Sequence, residues 1–210
     1  MESLVAAALA AGVRDARVLE ALREVPRSAY VPDDLQDRAG VDEPLPIPHG
    51  QVTTQPSLVA KMVEALALAG SERVLEIGTG YGFQTAILAR LAAYVFSVER
   101  YADLAETARR NLAREDVGNV EIVVADGSSG LPDRAPFDAI LVSAAFPSVP
   151  PPLAEQLVEG SPLVQPIGRG GNEDVTLFEL ERGRLVPRRN VTGARFVPLI
   201  GRHGFPVPPR

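Results

Sequence analysis

Residues 74–82 read Val74-Leu75-Glu76-Ile77-Gly78-Thr79-Gly80-Tyr81-Gly82, and residues 95–99 read Val95-Phe96-Ser97-Val98-Glu99. The first run is a short apolar strand that passes into three glycines at alternate positions, after which a helical pattern begins. Glycines spaced in this way let the chain turn tightly and bring main-chain N–H groups against a ligand with no Cβ between. The second run ends on Glu99, and a carboxylate at that strand end of a doubly wound sheet accepts hydrogen bonds from a ribose. The chemistry indicated is the holding of a nucleoside-bearing ligand. A dinucleotide fingerprint would need glycine at position 83, where the chain has Phe83. The plainer alternative is a tight strand-to-helix turn with no ligand, and Glu99 weighs against it.

Such residues need a scaffold, and the composition bounds it. A chain of 210 residues suffices for one domain with a substantial core. The net charge of −6, without any block of like charge, argues against a nucleic-acid groove binder and leaves room only for a local basic patch. There is no cysteine, so disulfides, thiolate metal sites and thiol nucleophiles are excluded. His49 and His203 are the only histidines, too few for an imidazole metal site, and no metal is expected. Lys61 is the only lysine. The apolar start, Met1 to Ala11, carries Glu2 where a signal peptide has a basic residue, and no stretch reaches the roughly 18 apolar residues of a membrane span. A cytoplasmic monomer without nucleic-acid or membrane partners is the expectation.

The elements that would position the glycine run follow from periodicity. Two helices are predicted first, Glu2 to about Gly12 and Asp15 to about Val25, the second with Leu19, Leu22 and Val25 at helical spacing and Pro26 as its stop. Residues 27–50 are rich in Pro, Asp and Gly without a sustained period, and a loop of that length is usually functional. Pro56 suits the first turn of a helix to about Leu68, with Leu58, Val59, Met62, Val63 and Leu66 on one face. From Arg73 the chain alternates. Strands are predicted at 74–77, 94–98, 120–125, 139–142 and 162–166, and helices at 83–92, 102–114 and 151–158. Residues 175–180 and 185 onward read as a hairpin, and 196–200 as one more strand. The expected fold is α/β, a doubly wound and mostly parallel sheet with N-terminal helices and an antiparallel C-terminal edge. One domain, 1–210, would comprise the helices and covering loop (1–55), the ligand-binding core (56–170) and the edge strands (171–210).

An acidic residue followed by G-x-G-x-G resembles motif I of the S-adenosyl-L-methionine-dependent methyltransferases, and the resemblance implies the seven-stranded, mostly parallel sheet of that type. The resemblance implies that Glu76 meets the methionine ammonium directly or through water, and that the backbone of Gly78, Thr79, Gly80 and Gly82 passes along the methionine and ribose. It implies the ribose at Glu99 and Arg100 and the adenine edge at Asp126-Gly127, with S-adenosyl-L-homocysteine as product. Asp-Gly alone is an ordinary turn. It gains weight as the third strand end that suits one ligand.

Upstream, His49-Gly50-Gln51-Val52-Thr53-Thr54-Gln55-Pro56-Ser57-Leu58-Val59 resembles the protein-L-isoaspartate O-methyltransferases, which show a G-Q-T-I-S-Q-P run there. The resemblance continues through Val31-Pro32, Pro44-Leu45-Pro46-Ile47, Asp126-Gly127-Ser128, Pro136-Phe137-Asp138-Ala139-Ile140, Ala144-Ala145-Phe146-Pro147, Leu157-Val158-Glu159-Gly160 and Phe196-Val197-Pro198-Leu199. It implies methyl transfer to the α-carboxylate of L-isoaspartyl and the β-carboxylate of D-aspartyl residues of damaged proteins and peptides. The ester then collapses to a succinimide that hydrolyses in part to aspartate. A carboxylate is already ionised at neutral pH, so no general base is needed and the scarcity of His and Cys is no obstacle. Alignment and exclusion of water would supply the acceleration.

The family's serine aligns with Thr54, whose hydroxyl can orient the acceptor carboxylate by donating a hydrogen bond. The alternative makes Thr54 the N-cap of the helix from Pro56, and Thr53 is the fallback hydroxyl if the register is off by one. Gln51 and Val52 would lie beside the substrate. Val197, Pro198 and Leu199 resemble the segment that flanks it and could pair with peptide main chain, or else form a plain edge closed by proline. Arg202 and His203 fall near the substrate carboxylate or are simply exposed, and His49 is a loop residue. Two rivals stay open: a relative that methylates ordinary aspartate of a dedicated peptide to form an aspartimide, and a cofactor-binding homologue without turnover. A nucleic-acid methyltransferase is disfavoured by the acidic balance.

Overall fold

Residues 2–207 are described by the computed structural model; Met1 and residues 208–210, within the expected 1–210 domain, lie outside the described residues. Period-two alternation sets the architecture. On β3 (Arg73–Ile77), β4 (Tyr94–Glu99) and β6 (Ala139–Val142), Val74, Val95, Ala139 and Leu141 join one core. Leu75, Ile77, Phe96, Val98, Ile140 and Val142 join the other. With β5 (Val120–Val124), β7 (Pro162–Ile167), β8 (Glu173–Glu181) and β9 (Arg184–Ala194), they form a seven-stranded sheet in the order β5-β4-β3-β6-β7-β8-β9. The first five are parallel, and β8 and β9 run antiparallel at the edge, as expected.

The first face is covered by α1 (Glu2–Ala10), α2 (Ala16–Glu24), α3 (Pro56–Ala65) and α4 (Phe83–Leu91), with Leu112 of α5 (Ala102–Arg114). The second is covered by Leu153 of α6 (Pro151–Glu155), Leu157, Phe137 and Leu199. Asp15 caps α2 by accepting the Arg17 N–H at 2.8 Å. The N-terminus of α3 is satisfied from outside, by Asp42 accepting the Ser57 N–H at 2.8 Å and the Gln55 side-chain amide at 2.8 Å.

Three expectations change. Residues 27–50 are not a plain loop. They form two 3-10 turns, 27–30 and 33–38, and then the first arm of a hairpin, β1 (Leu45–Ile47) with β2 (Gln51–Thr53). Left-handed backbone at His49 (φ 62°) and Gly50 (φ 66°) closes its turn. Residues 196–200 are not a ladder strand. Pro198 has no N–H to give, and the segment is held by single bridges, Ala145 donating to Val197 O and Leu199 to Ala145 O, each at 2.8 Å. The helix from 151 stops at Glu155.

Arg27 holds the N-terminal wrap to the hairpin. Only 2% exposed, it donates to Val41 O and Glu43 O at 2.6 Å each and to the Thr53 hydroxyl at 3.2 Å. Burial lowers its guanidinium to about 10, against Asp42 and Glu43, and it remains a cation at neutral pH. Arg27→Met would strand these carbonyls. It should lower the unfolding free energy by roughly 3 kcal/mol in chemical denaturation, while Arg114→Met on an exposed helix end has little effect. Equal stability of the two variants would remove Arg27 as the clamp.

Candidate active site

The carboxyl ends of the parallel strands open on a cleft of about 1020 Å³, its open mouth included, where ligands bind in open α/β sheets. Its inner wall is the turn between β3 and α4. Gly78 has φ 100°, and a Cβ there would come within 3.3 Å of the Ser143 side chain. Gly82, at φ 94°, caps α4 where a side chain would press on Tyr30, Ala108 and Leu112. Gly80 turns its N–H to Glu99 Oε2 at 2.9 Å, and the Tyr101 N–H donates to Oε1 at 3.0 Å. Each Glu99 oxygen thus takes one main-chain donor and keeps acceptor capacity on a side chain that lines the cleft. Thr79 and Arg100 line it as well, the Arg100 guanidinium 5.3 Å from the Tyr101 ring centre.

Glu76 stands behind this wall. It is 0% exposed and does not line the cleft. Its oxygens accept from Gln84 Nε2 at 2.9 Å, Thr85 Oγ1 at 2.6 Å and Ser97 Oγ at 2.5 Å, and the Ser97 hydroxyl is hydrogen-bonded in turn to that of Thr79. Burial lifts the Glu76 carboxyl to about 7, against those three hydrogen bonds. The direct ammonium contact expected of Glu76 therefore has no path. Gln84 lines the cleft instead, its Nε2 fixed by Glu76 and by Ser143 Oγ at 2.9 Å and its buried Oε1 without a partner.

Asp126, expected at the adenine edge, is not among the residues that line the cleft. Its carboxylate accepts from Ser128 N–H, Ser128 Oγ and the Arg202 N–H at 2.7–2.9 Å, and only Gly127 lines the cleft. Partial burial pulls that carboxyl up, and the hydrogen bonds from Arg202 and Ser128 more than reverse it, leaving it below the usual range. Arg202 and His203 serve through their main chain, the His203 N–H donating to Ser128 Oγ at 3.0 Å. Neither lines the cleft.

The outer wall is the β1–β2 hairpin. The Thr53 hydroxyl is consumed within it, accepting from Arg27 and from the Leu45 N–H at 3.2 Å. Thr54 caps nothing, since Gln55 is the N-cap residue of α3 and Asp42 supplies the acceptor. Its hydroxyl makes no hydrogen bond among the described residues. A second groove, of about 1000 Å³ with its open mouth, shares Val52, Thr54, Ser143 and Val197 with the cleft, so the two cavities meet at the Thr54 and Ser143 hydroxyls. Gln51, Val52, Val197, Pro198 and Leu199 all line the cleft. His49, outside both cavities, stacks on Tyr101 with ring centres 4.1 Å apart and pairs with Asp103 at 2.8 Å.

Sequence reasoning missed Gln84, Ser143, Tyr101 and Glu173. Ser143 follows a parallel strand, and the rule that ligands gather at strand ends could have found it. Glu173, buried on β8, accepts the Phe196 N–H at 2.9 Å and so sets the segment before Val197, with no local signal. Among the described residues no group of three or more His, Cys, Asp or Glu could hold a metal, and no helix is long and apolar enough to cross a membrane.

Residues 1–204 match the family model described as protein-L-isoaspartate(D-aspartate) O-methyltransferase. A protein-L-isoaspartate O-methyltransferase of Methanoculleus marisnigri is 49% identical over 196 residues, covering 93% of this chain and 89% of the relative. One from Myxococcus xanthus is 48% identical over 193 residues, covering 90% and 91%. A solved protein-L-isoaspartate O-methyltransferase superposes with TM-score 0.84 at 30% identity, covering 97% of this chain and 67% of that one. A Plasmodium falciparum structure in complex with S-adenosyl-L-homocysteine has TM-score 0.79 at 24% identity, covering 94% and 97%, a likeness of fold.

The buried carboxyl makes stability pH-dependent with a definite sign. Between its ordinary 4.5 and about 7, folded Glu76 holds a proton that the unfolded chain has released, so the unfolding free energy falls as pH rises through that window. Denaturant titrations at pH 5 and pH 7.5 should differ on the order of 1 kcal/mol or more, and Glu76→Gln should flatten the difference. An undiminished slope in that variant would assign the proton elsewhere.

Proposed function

We propose, for a chain that belongs to the protein-L-isoaspartate(D-aspartate) O-methyltransferase family, that the cleft holds S-adenosyl-L-methionine, the groove holds the isoaspartyl segment, and the two meet at Thr54. The activity is that of an S-adenosyl-L-methionine-dependent protein-repair methyltransferase. When bound, the cofactor supplies a methyl group on a positively charged sulfur. The residues present fit it. Glu99 has acceptor capacity for ribose hydroxyls, the glycine turn leaves the wall open to backbone approach, and the orphaned Gln84 Oε1 is an acceptor for an ammonium. In this assignment Glu76 orients Gln84, and Asp126 fixes the turn after Ile200.

The observation that carries the acceptor assignment is the free Thr54 hydroxyl where cleft and groove join. It donates to one oxygen of the acceptor carboxylate and leaves the other to react. Thr53 holds the hairpin that presents it. The Val197 N–H, without a partner among the described residues, is available to a peptide carbonyl, a contact that reads main chain and no side chain. The hairpin covers the junction and keeps water from the charged reactants, where position and dehydration count most.

Purified protein given methyl-labelled S-adenosyl-L-methionine should label an isoaspartyl peptide and leave its aspartyl twin unlabelled. Labelling of the aspartyl twin alone would mark an aspartimide-forming relative, and cofactor binding without labelling a non-catalytic homologue. Thr54→Ser should keep most activity. Thr54→Val should lose roughly ten- to hundredfold in kcat/KM, the worth of one hydrogen bond to a charged group, with a smaller change in S-adenosyl-L-homocysteine affinity. Wild-type activity in Thr54→Val would remove the hydroxyl from the mechanism.

A further inference from the structure

We propose that the groove selects isoaspartyl segments flanked by acidic residues, through Lys61 and Arg195. The proposal rests on the assignment of that groove to the acceptor peptide. From Thr54, Ser143 and Val197 the groove runs between α3 and the chain that leaves β9. Lys61 lies on the α3 side, half-buried, and Arg195 on the other, exposed. Neither takes part in an ion pair or side-chain hydrogen bond among the described residues.

No Asp or Glu lines the groove, although the whole chain carries 27 of them against 21 cations. The acidic groups nearest the groove stand behind its wall and accept hydrogen bonds from the main chain or from Gln55. Asp42 receives Ser57 N–H and Gln55, Glu64 receives the Arg14 and Asp15 N–H groups, and Glu173 receives Phe196 N–H. The rest of the wall is neutral, with Gln55, Ser57 and Thr192 as its other long or hydroxylated side chains besides Thr54 and Ser143. Two cations and no carboxylate on the surface of a concave site, on a molecule of net charge −6, favour an acidic segment where a peptide must lie. Lys61 is half-buried in the groove wall, where a lysine can bury its stem and leave its ammonium in water. Main-chain pairing at Val197 is indifferent to side chains, so discrimination among damaged segments falls to these two charges.

The test uses the full chain and two isoaspartyl peptides that differ only in Glu or Gln on both sides of the isoaspartyl residue. The Glu peptide should have the higher kcat/KM by roughly three- to tenfold at low ionic strength, a preference that shrinks as salt is added. In the double variant Lys61→Gln/Arg195→Gln the ratio should fall to about one, and Lys61→Glu should invert it. Each ratio is internal to one protein, so a loss of folded fraction does not move it. Equal rates for the two peptides in the wild type, or a preference that survives the double substitution, overturns the proposal. Labelling of neither isoaspartyl peptide would instead overturn the acceptor assignment, and the selectivity with it.

Discussion

The Glu76 carboxylate is the joint that holds the cleft wall together. It sits where the ends of β3 and β4 converge on the first turn of α4, and its donors come from Ser97, Gln84 and Thr85. Gln84 carries the link on to Ser143 beyond β6, so one anion connects three adjacent strand ends and a helix. A buried charge costs several kcal/mol in lost hydration, which the raised carboxyl pKa registers. An apolar residue in its place would remove that cost but leave the amide and two hydroxyls without an acceptor, a heavier loss at a wall that must stay rigid. The same joint fixes the amide of Gln84, a residue of the cleft wall whose oxygen has no partner, so stability is given up for geometry.

The opposite wall is built differently. The β1–β2 hairpin has strands of three residues, far too little to stand alone, and borrows its order from distant groups. Arg27 grips it from the N-terminal wrap, and His49 is fastened to α5 through Asp103 and the Tyr101 ring. Asp103, held below the ordinary carboxylate range by its hydrogen bond from His49, is the anchor of that fastening. A rigid inner wall facing a clipped-on outer one suits a site that must admit a cofactor and a peptide and then exclude water, since the mobile parts of proteins are drawn from their least stable segments.

The central sheet was legible because β3, β4, β6 and β7 are short runs of mostly buried residues and helices such as α2 and α5 carry one apolar stripe, signals confined to a few neighbouring residues. The hairpin was not, since three-residue strands cannot display a period. The segment 196–200 is extended yet makes bridges where a ladder was expected, because Pro198 removes a donor that only the folded register reveals as needed. Of the site, Gly78, Gly80 and Glu99 line the cleft as their spacing suggested, whereas Gly82 does not line it and caps α4. Asp126 looked alike from its place at a strand end, but its partner is the Arg202 N–H, 76 residues on, and no local pattern announces such a closure. Thr54 came from resemblance alone; its freedom, against the engagement of Thr53, is a fact of packing.

Asp126 has a consequence for the molecule's own lifetime. Asp-Gly is the dipeptide most open to isomerisation, because a glycine nitrogen meets little hindrance in attacking the preceding side-chain carboxyl. This chain has a single such pair, at the rim of its own cleft. Attack needs a carboxyl that is protonated and free to swing towards the following nitrogen. Here both oxygens are engaged by Ser128 and Arg202 and ionisation is favoured. The hydrogen bonds that seat the C-terminal turn thus also guard the repair enzyme against the damage it mends in others.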